Sequence, residues 1–227
     1  MNAKKSVFSS ELAYVFGVLL IQISICIMTK CDFGLSMIVS PAYILHVKIS
    51  EFLPFFSFGM SSYTLQFVLL VFMVLLIRKF KMSYLFAFVT SVICGVVLDF
   101  INYLARGIAF ESIYLKIPMF FLGIFICGLG VAFMFRTYIS PEAYDLFVKE
   151  ISTHFSINTS KFKTCFDISF CTLAVILSFL LFGFGNFVGV KIGTVICAIL
   201  NGPVIGFFGK LLDKRFVFEP AIKFKNK

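Results

Sequence analysis

Leu12 to Thr29 reads LAYVFGVLLIQISICIMT, a run without one charged residue. Wound as a helix at about 1.5 Å per residue, such a run nearly matches a hydrocarbon core about 30 Å thick. Similar runs recur along the chain, and the spacing predicts six spans at roughly 11–29, 63–78, 84–105, 114–135, 165–183 and 186–209. Composition points the same way, because 60% of the residues are hydrophobic, 14% are charged and 33 are Phe. A soluble domain carries about a quarter charged residues. The expected fold class is therefore all-α, a polytopic membrane protein whose first partner is the lipid bilayer.

The second span is short unless Phe55 to Ser62 extend it. Residues 35–56 are apolar but interrupted by Pro41, His46, Lys48, Glu51 and Pro54, the pattern of an interfacial or re-entrant segment rather than a full crossing. No small-x-small cleavage site follows the first run, so it reads as a retained helix. Of the 20 basic residues, this topology puts fifteen on one side and leaves Lys30, Lys48, Arg106, Lys116 and Lys191 on the other. The positive-inside bias then places both termini in the cytoplasm. The net charge of +9 accordingly argues for lipid headgroups beside a basic tail over 211–227, and not for nucleic acid. Docking of a cytosolic partner is the second use open to that tail.

Short similarities recur in the same order in both halves of the chain. VSPAYILHVKIS, ending at Ser50, pairs with ISPEAYDLFVKEIS, ending at Ser152; IMTK (27–30) pairs with FMFR (133–136), FGMSSY (58–63) with FSINTS (155–160), and SVICGVV (91–97) with TVICAIL (194–200). An internal duplication accounts for the order. With three spans in each unit, the second enters the membrane from the opposite face, giving two inverted three-helix repeats over 1–107 and 108–210.

Few polar residues fall inside the spans. Asp99, with Asn102 and Arg106 at i+3 and i+7 on the same helix face, is the sharpest feature, since a carboxylate in a span is costly unless paired or wet. Two readings stand: a substrate or proton site, or an Asp99–Arg106 pair near the interface. Asn201, Gly202 and Pro203 are expected to interrupt the last span at membrane depth, as a kink or as a ligand contact. Gly185, Gly189 and Gly193 recur every fourth residue and predict a close helix approach. Gln22 and Gln66 are uncharged polar groups deep in spans. Tyr144 and Asp145 follow Ser140, Pro141 and Glu142, where Ser140 is the expected N-cap. That helix either lies on the inner surface as an amphipathic element, the favoured reading, or re-enters with its positive end facing an anion. Asp99, Asn102 and Arg106 on the third span and Asn201, Gly202 and Pro203 on the sixth should meet between the halves, with Gln22, Gln66, Tyr144 and Asp145 around them.

Seven Cys without a CxxC pair, and two isolated His, predict neither a disulfide framework nor a metal site. No phosphate loop, HExxH or Gly-x-Ser-x-Gly is present, so neither an enzyme nor a cofactor is expected. Inverted halves with broken helices favour a small-molecule permease working by alternating access, its substrate unknown. An accessory or substrate-binding membrane subunit of a larger transporter is the alternative.

Three segments carry a family resemblance. KCDFGLSMIVSPAYIL after the first span, SPEAYDLF between the halves and GTVICAILNGPVIGFF in the last span resemble the YczE/YyaS/YitT-like bacterial integral membrane proteins over most of residues 17–208. The Pro-Trp-Asp usual after the first Gly-Leu is replaced here by Met37, Ile38 and Val39, and Gly206 stands where an acidic residue is frequent. The resemblance implies a location in the bacterial plasma membrane and supplies no substrate.

Overall fold

A computed structural model describes residues 6–157, 159–183 and 188–221. Its order is β1 (Ser6–Ser9), α1 (Ser10–Cys31), α2 (Ser40–Ser50), α3 (Phe58–Ile77), α4 (Met82–Leu104), α5 (Ile113–Met134), α6 (Ala143–His154), α7 (Thr159–Phe182), α8 (Ile192–Arg215) and β2 (Phe216–Glu219). Six of these helices, α1, α3, α4, α5, α7 and α8, are long and apolar enough to cross a membrane. Their outer faces are greasy: Phe67, Phe72 and Leu75 on α3 and Phe86 and Phe100 on α4 are all exposed. Side chains of that size in continuous stripes are tolerated where lipid, not water, covers them.

The helix ends are set locally. Ser9 caps α1 by accepting from the Leu12 N–H, and Asp32 closes it in the left-handed conformation at φ 55°. Ser57 caps α3 through the Met60 N–H, and Arg78 ends it at φ 53°. Asp99 on α4 adds a second cap to α3, accepting from the Gly59 N–H at 2.8 Å and from the Ser57 hydroxyl. This carboxylate therefore serves the neighbouring helix terminus. It forms no pair with Arg106, whose guanidinium lies 4.8 Å from the Tyr103 ring centroid. The contact requires α3 and α4 to touch through their backbones. A Cβ on Gly59 would stand 2.0 Å from the Gly95 carbonyl oxygen, so neither glycine has room for a side chain.

α1 and α5 run antiparallel, with Gly17 against Gly130 and Gly123 beside Ser24. α5 and α8 run side by side in the same direction, Gly128 meeting Val204. Arg136, just past the end of α5, clamps this pair: it donates to both carboxylate oxygens of Asp213 at 2.6 Å and to the Ala132 and Gly209 carbonyls at 2.7 Å. The bidentate contact is to Asp213, while the bond to Ala132 satisfies a carbonyl that the last turn of α5 leaves open. Beside it β1 and β2 pair in parallel, Ser6 opposite Phe216 through Ser9 opposite Glu219, which no feature of the sequence predicts. Phe8 packs on Phe16, Phe133, Phe216 and Phe218 there. The ribbon puts the start of α1 and the end of α8 at one end of the bundle, as an even number of crossings requires.

α2 and α6 do not cross. α2 runs back along α3, with the Ser61 hydroxyl donating to the Ala42 carbonyl at 2.6 Å and His46 Nδ1 2.9 Å from the Phe56 carbonyl oxygen. Its C-terminal end is therefore beside the start of α3, at the end opposite the chain termini. α6 has its C-terminal part beside the start of α4, where Glu150 accepts from Lys81 at 2.7 Å and from Tyr84 at 2.9 Å. Its other end reaches Gln66, half-way along α3. The two half-helices thus enter from opposite ends, and both begin inside the bundle.

Four expectations need correction. α6 is no surface helix: Ala143, Tyr144, Leu146, Phe147, Val148 and Ile151 are all buried against α3, α4 and α7. Its N-cap is Glu142 and not Ser140, because two residues of extended chain carry the backbone inward first. α8 is continuous through Asn201, Gly202 and Pro203, with only the bond that the missing Pro203 N–H would make being lost, and it runs past 210 to Arg215. It starts at Ile192 rather than 186, so the spaced glycines form no helical stripe. Gly189 is a bend at φ 75° and Gly193 sits against the Phe33 carbonyl, while Gly185 lies outside the described residues.

Two outcomes follow from these contacts. Gly59→Ala should lower stability by about 1–3 kcal/mol, the ordinary cost of overpacking, whereas Gly107→Ala, with open space around it, should leave the melting temperature in detergent unchanged. Desolvation pushes Glu150 up, but the bonds from Lys81 and Tyr84 and the lysine charge outweigh it and hold its carboxyl below the usual range. A depressed carboxyl pKa stabilises the fold fully above the unfolded value of about 4.3 and ceases to do so as pH falls through the folded one. Melting temperature should fall on acidification below that point, less steeply in Glu150→Gln.

Candidate functional site

A helix that begins inside an apolar bundle exposes N–H groups that water cannot reach, and neighbouring helices must supply acceptors. For α6 the acceptors are Gln66 on α3 and Ser91 on α4. The Ala143 N–H lies 3.1 Å from Gln66 Oε1 and 3.2 Å from Ser91 Oγ, and the Ser91 hydroxyl donates to the same Gln66 oxygen at 2.6 Å. The Gln66 amide nitrogen then donates to Glu142 Oε2 at 2.9 Å. Thr90 holds the incoming strand by donating to the Ser140 carbonyl at 3.0 Å.

The start of α2 is held by the chain that leads into α8. The Ser40 hydroxyl lies among three carbonyls, those of Ser36 at 2.9 Å, Gly189 at 3.1 Å and Leu35 at 3.3 Å. The Leu35 N–H also donates to Gly189, the Gly193 N–H to Phe33, and Lys191 pairs with Asp32 at 2.6 Å. These contacts close the end of the bundle away from the termini.

Between the two helix starts lies a cavity of about 320 Å³. Ser36 to Val39 border it above α2, Glu142, Tyr144 and Asp145 border it from α6, and Gln22, Gln66 and Asn201 reach it from α1, α3 and α8. Its remaining wall is apolar, with Ile25, Leu65, Val131, Phe170 and Ile205 among the contributors. On α7, Lys163 and Asp167 complete the polar part: Lys163 pairs with Asp145 at 3.0 Å, and the Tyr144 hydroxyl donates to Asp167.

Six of the ten sequence-selected residues therefore share one wall: Gln22, Gln66, Tyr144, Asp145, Asn201 and Gly202. Four do not. Asp99 is engaged at the start of α3, Asn102 and Arg106 lie beyond it toward the end of α4, and Pro203 is not part of the lining. The expectation that Asp99 and Asn201 converge on one point is thus replaced by a meeting of Asn201 with Glu142, Gln66 and Gln22 around the cavity. Glu142, Lys163 and Asp167 were absent from the sequence selection. Asp167 was legible there, since it is a carboxylate in an apolar run and meets the criterion that picks out Asp99.

Glu142 is the least compensated of these groups. No cation lies within 4 Å of it among the described residues, and one amide is its hydrogen-bond donor of normal geometry. Burial raises its carboxyl above the ordinary range; the Cys94 thiol and Gln66 amide work against this, and the charge of Asp145 adds to it. Gln22 is as notable. It is only 2% exposed, and its amide meets the Cys94 thiol.

Among the described residues no group of three or more His, Cys, Asp or Glu has the geometry of a metal site. No curated protein matches the chain, and no solved structure does. A family model covers residues 8–210, nearly the whole bundle with both half-helices and every residue around the cavity. The chain belongs to the family described as Family of unknown function (DUF6198).

Proposed function

We propose that the chain is a small-molecule permease of the bacterial plasma membrane that works by alternating access, with both termini in the cytoplasm. The observation that carries this is the cavity at mid-depth, bordered by the starts of two half-helices that enter from opposite ends. Its volume falls at the lower end of the ~300–1,000 Å³ range of small-molecule sites. Half-helices meeting at such a centre supply polar backbone where a substrate must be held away from bulk water.

The pairing of elements supports two inverted halves. α1 and α5 each have 22 residues, and each half contains a short helix near a Ser-Pro pair at 40–41 or 140–141. α2 packs on α3 and α7, and α6 packs on α7 and α3. An exchange of α1 to α4 with α5 to α8 preserves those contacts. The basic residues near the terminal end favour a cytoplasmic face there. The resemblance to the YczE/YyaS/YitT-like proteins supports the bacterial membrane.

Alternating access gives a concrete expectation for Ser62, which borders the cavity on α3. In vesicles, Ser62→Cys should react with a membrane-impermeant thiol reagent from either face, read at that residue by mass spectrometry so that the native cysteines can stay. An Asp32→Cys, Lys191→Cys pair, oxidised to a disulfide, should abolish labelling from the distal face and spare labelling from the terminal face. Labelling confined to one face in the absence of the cross-link, or labelling from the distal face that survives it, would refute the mechanism. Co-purification with an ATPase at fixed stoichiometry would instead establish the accessory-subunit role.

A further inference from the structure

The electrostatic balance of the cavity selects among substrates. Glu142, Asp145 and Asp167 border it, against a single ammonium, Lys163. That ammonium is committed to Asp145, and Asp167 receives the Tyr144 hydroxyl, so among the described residues Glu142 is left without a counter-ion. The positive end of α6 offsets about half a charge, and Glu142 itself already occupies that end as its N-cap. An anion entering here meets three carboxyl groups against one ammonium.

Gln22 is an independent pointer. This primary amide is almost fully buried in α1, borders the cavity and meets the Cys94 thiol, so it presents a neutral hydrogen-bonding group to whatever enters. An amide oxygen has two lone pairs and can accept from an N–H that enters beside it. Apolar side chains fill most of the rest, including Ile25, Leu65 and Phe170. At a water's share of about 30 Å³, the volume accommodates on the order of ten non-hydrogen atoms.

We propose that the cavity binds a small monovalent organic cation, a protonated amine with an apolar body and at least one N–H, with the Glu142 carboxylate as its counter-ion and the Gln22 amide oxygen as an accepting group, and that proton and cation compete for Glu142. The proposal rests on the permease role above and names its substrate class. When the cation enters, the Glu142 carboxylic acid loses its proton to solvent; when it leaves, the carboxylate takes a proton back, so charge at the centre is conserved. The titratable groups facing Glu142 from the elements around it are Tyr14, Cys94, Cys127, Asp145, Lys163 and Asp167. Lys163 is the one cation among them, and its partner is Asp145.

The test uses the full chain in detergent with three probes of similar size: benzylammonium, benzyl alcohol and benzenesulfonate. The cation should raise the melting temperature and release protons into a weakly buffered solution, and it should bind about tenfold more tightly at pH 8 than at pH 5.5. The other two probes should do neither. Glu142→Gln should abolish binding and proton release together. Gln22→Leu, which keeps the volume, should weaken binding severalfold with proton release intact, and serves if Glu142→Gln does not fold. Stabilisation by benzenesulfonate or benzyl alcohol alone, cation binding that is indifferent to pH and to both substitutions, or no binding of any probe overturns the proposal. Binding of the cation without labelling of Ser62→Cys from two faces would remove the permease role and leave this site standing. Two-faced access with selective binding of a neutral or anionic probe would do the reverse.

Discussion

The Ala143 N–H, held between Gln66 and Ser91, is the contact on which the interior depends. A helix that starts half-way through an apolar bundle is possible only if its first N–H groups find acceptors, and here two crossing helices supply them. Without those side chains α6 has no reason to stop at Ala143 with its terminus buried. With them the bundle contains a helix only twelve residues long, about 18 Å at the usual rise, which cannot fill the thickness it enters. α2, at eleven residues, leaves the complementary gap. The cavity is what remains between two short helices whose starts are fixed from the side.

Two carboxylates show how placement separates structure from chemistry. Asp99 faces the N-terminal turn of α3 and receives a backbone N–H and a hydroxyl. Glu142 also sits at a helix start, but its own side chain borders the cavity and meets the Gln66 amide and the Cys94 thiol. The first is locked by the fold. The second keeps acceptor capacity for whatever enters.

Much of the architecture was legible because lipid imposes a strict length and hydropathy on each crossing. The six spans, the broken character of residues 35–56 and the polar interior positions Gln22 and Gln66 could all be read from local pattern. What could not be read was depth. SPEAYDLF has the same amphipathic pattern whether it lies on a surface or inserts between α3, α4 and α7, and only Gln66 and Ser91, more than fifty residues away in sequence, decide between them. Asp99 misled for the same reason: its partners belong to the start of α3, forty residues earlier. Asn201, Gly202 and Pro203 read as a break because helix propensity is weak there, yet packing of α8 along α5 keeps the helix continuous.

The ribbon joining the chain's two ends has a mechanical meaning. β1 and β2 tie the foot of α1 to the foot of α8, and Arg136 ties α5 to α8 beside them. α1, α5 and α8 are therefore fastened at one end into a single block drawn from both halves of the sequence. The half-helices α2 and α6 rest instead against α3 and α7. A clasp of this kind divides the molecule along a line different from the proposed repeat: the frame is a pairing of first and last helices, and the elements outside it are those that carry the cavity's Gln66, Glu142, Lys163 and Asp167.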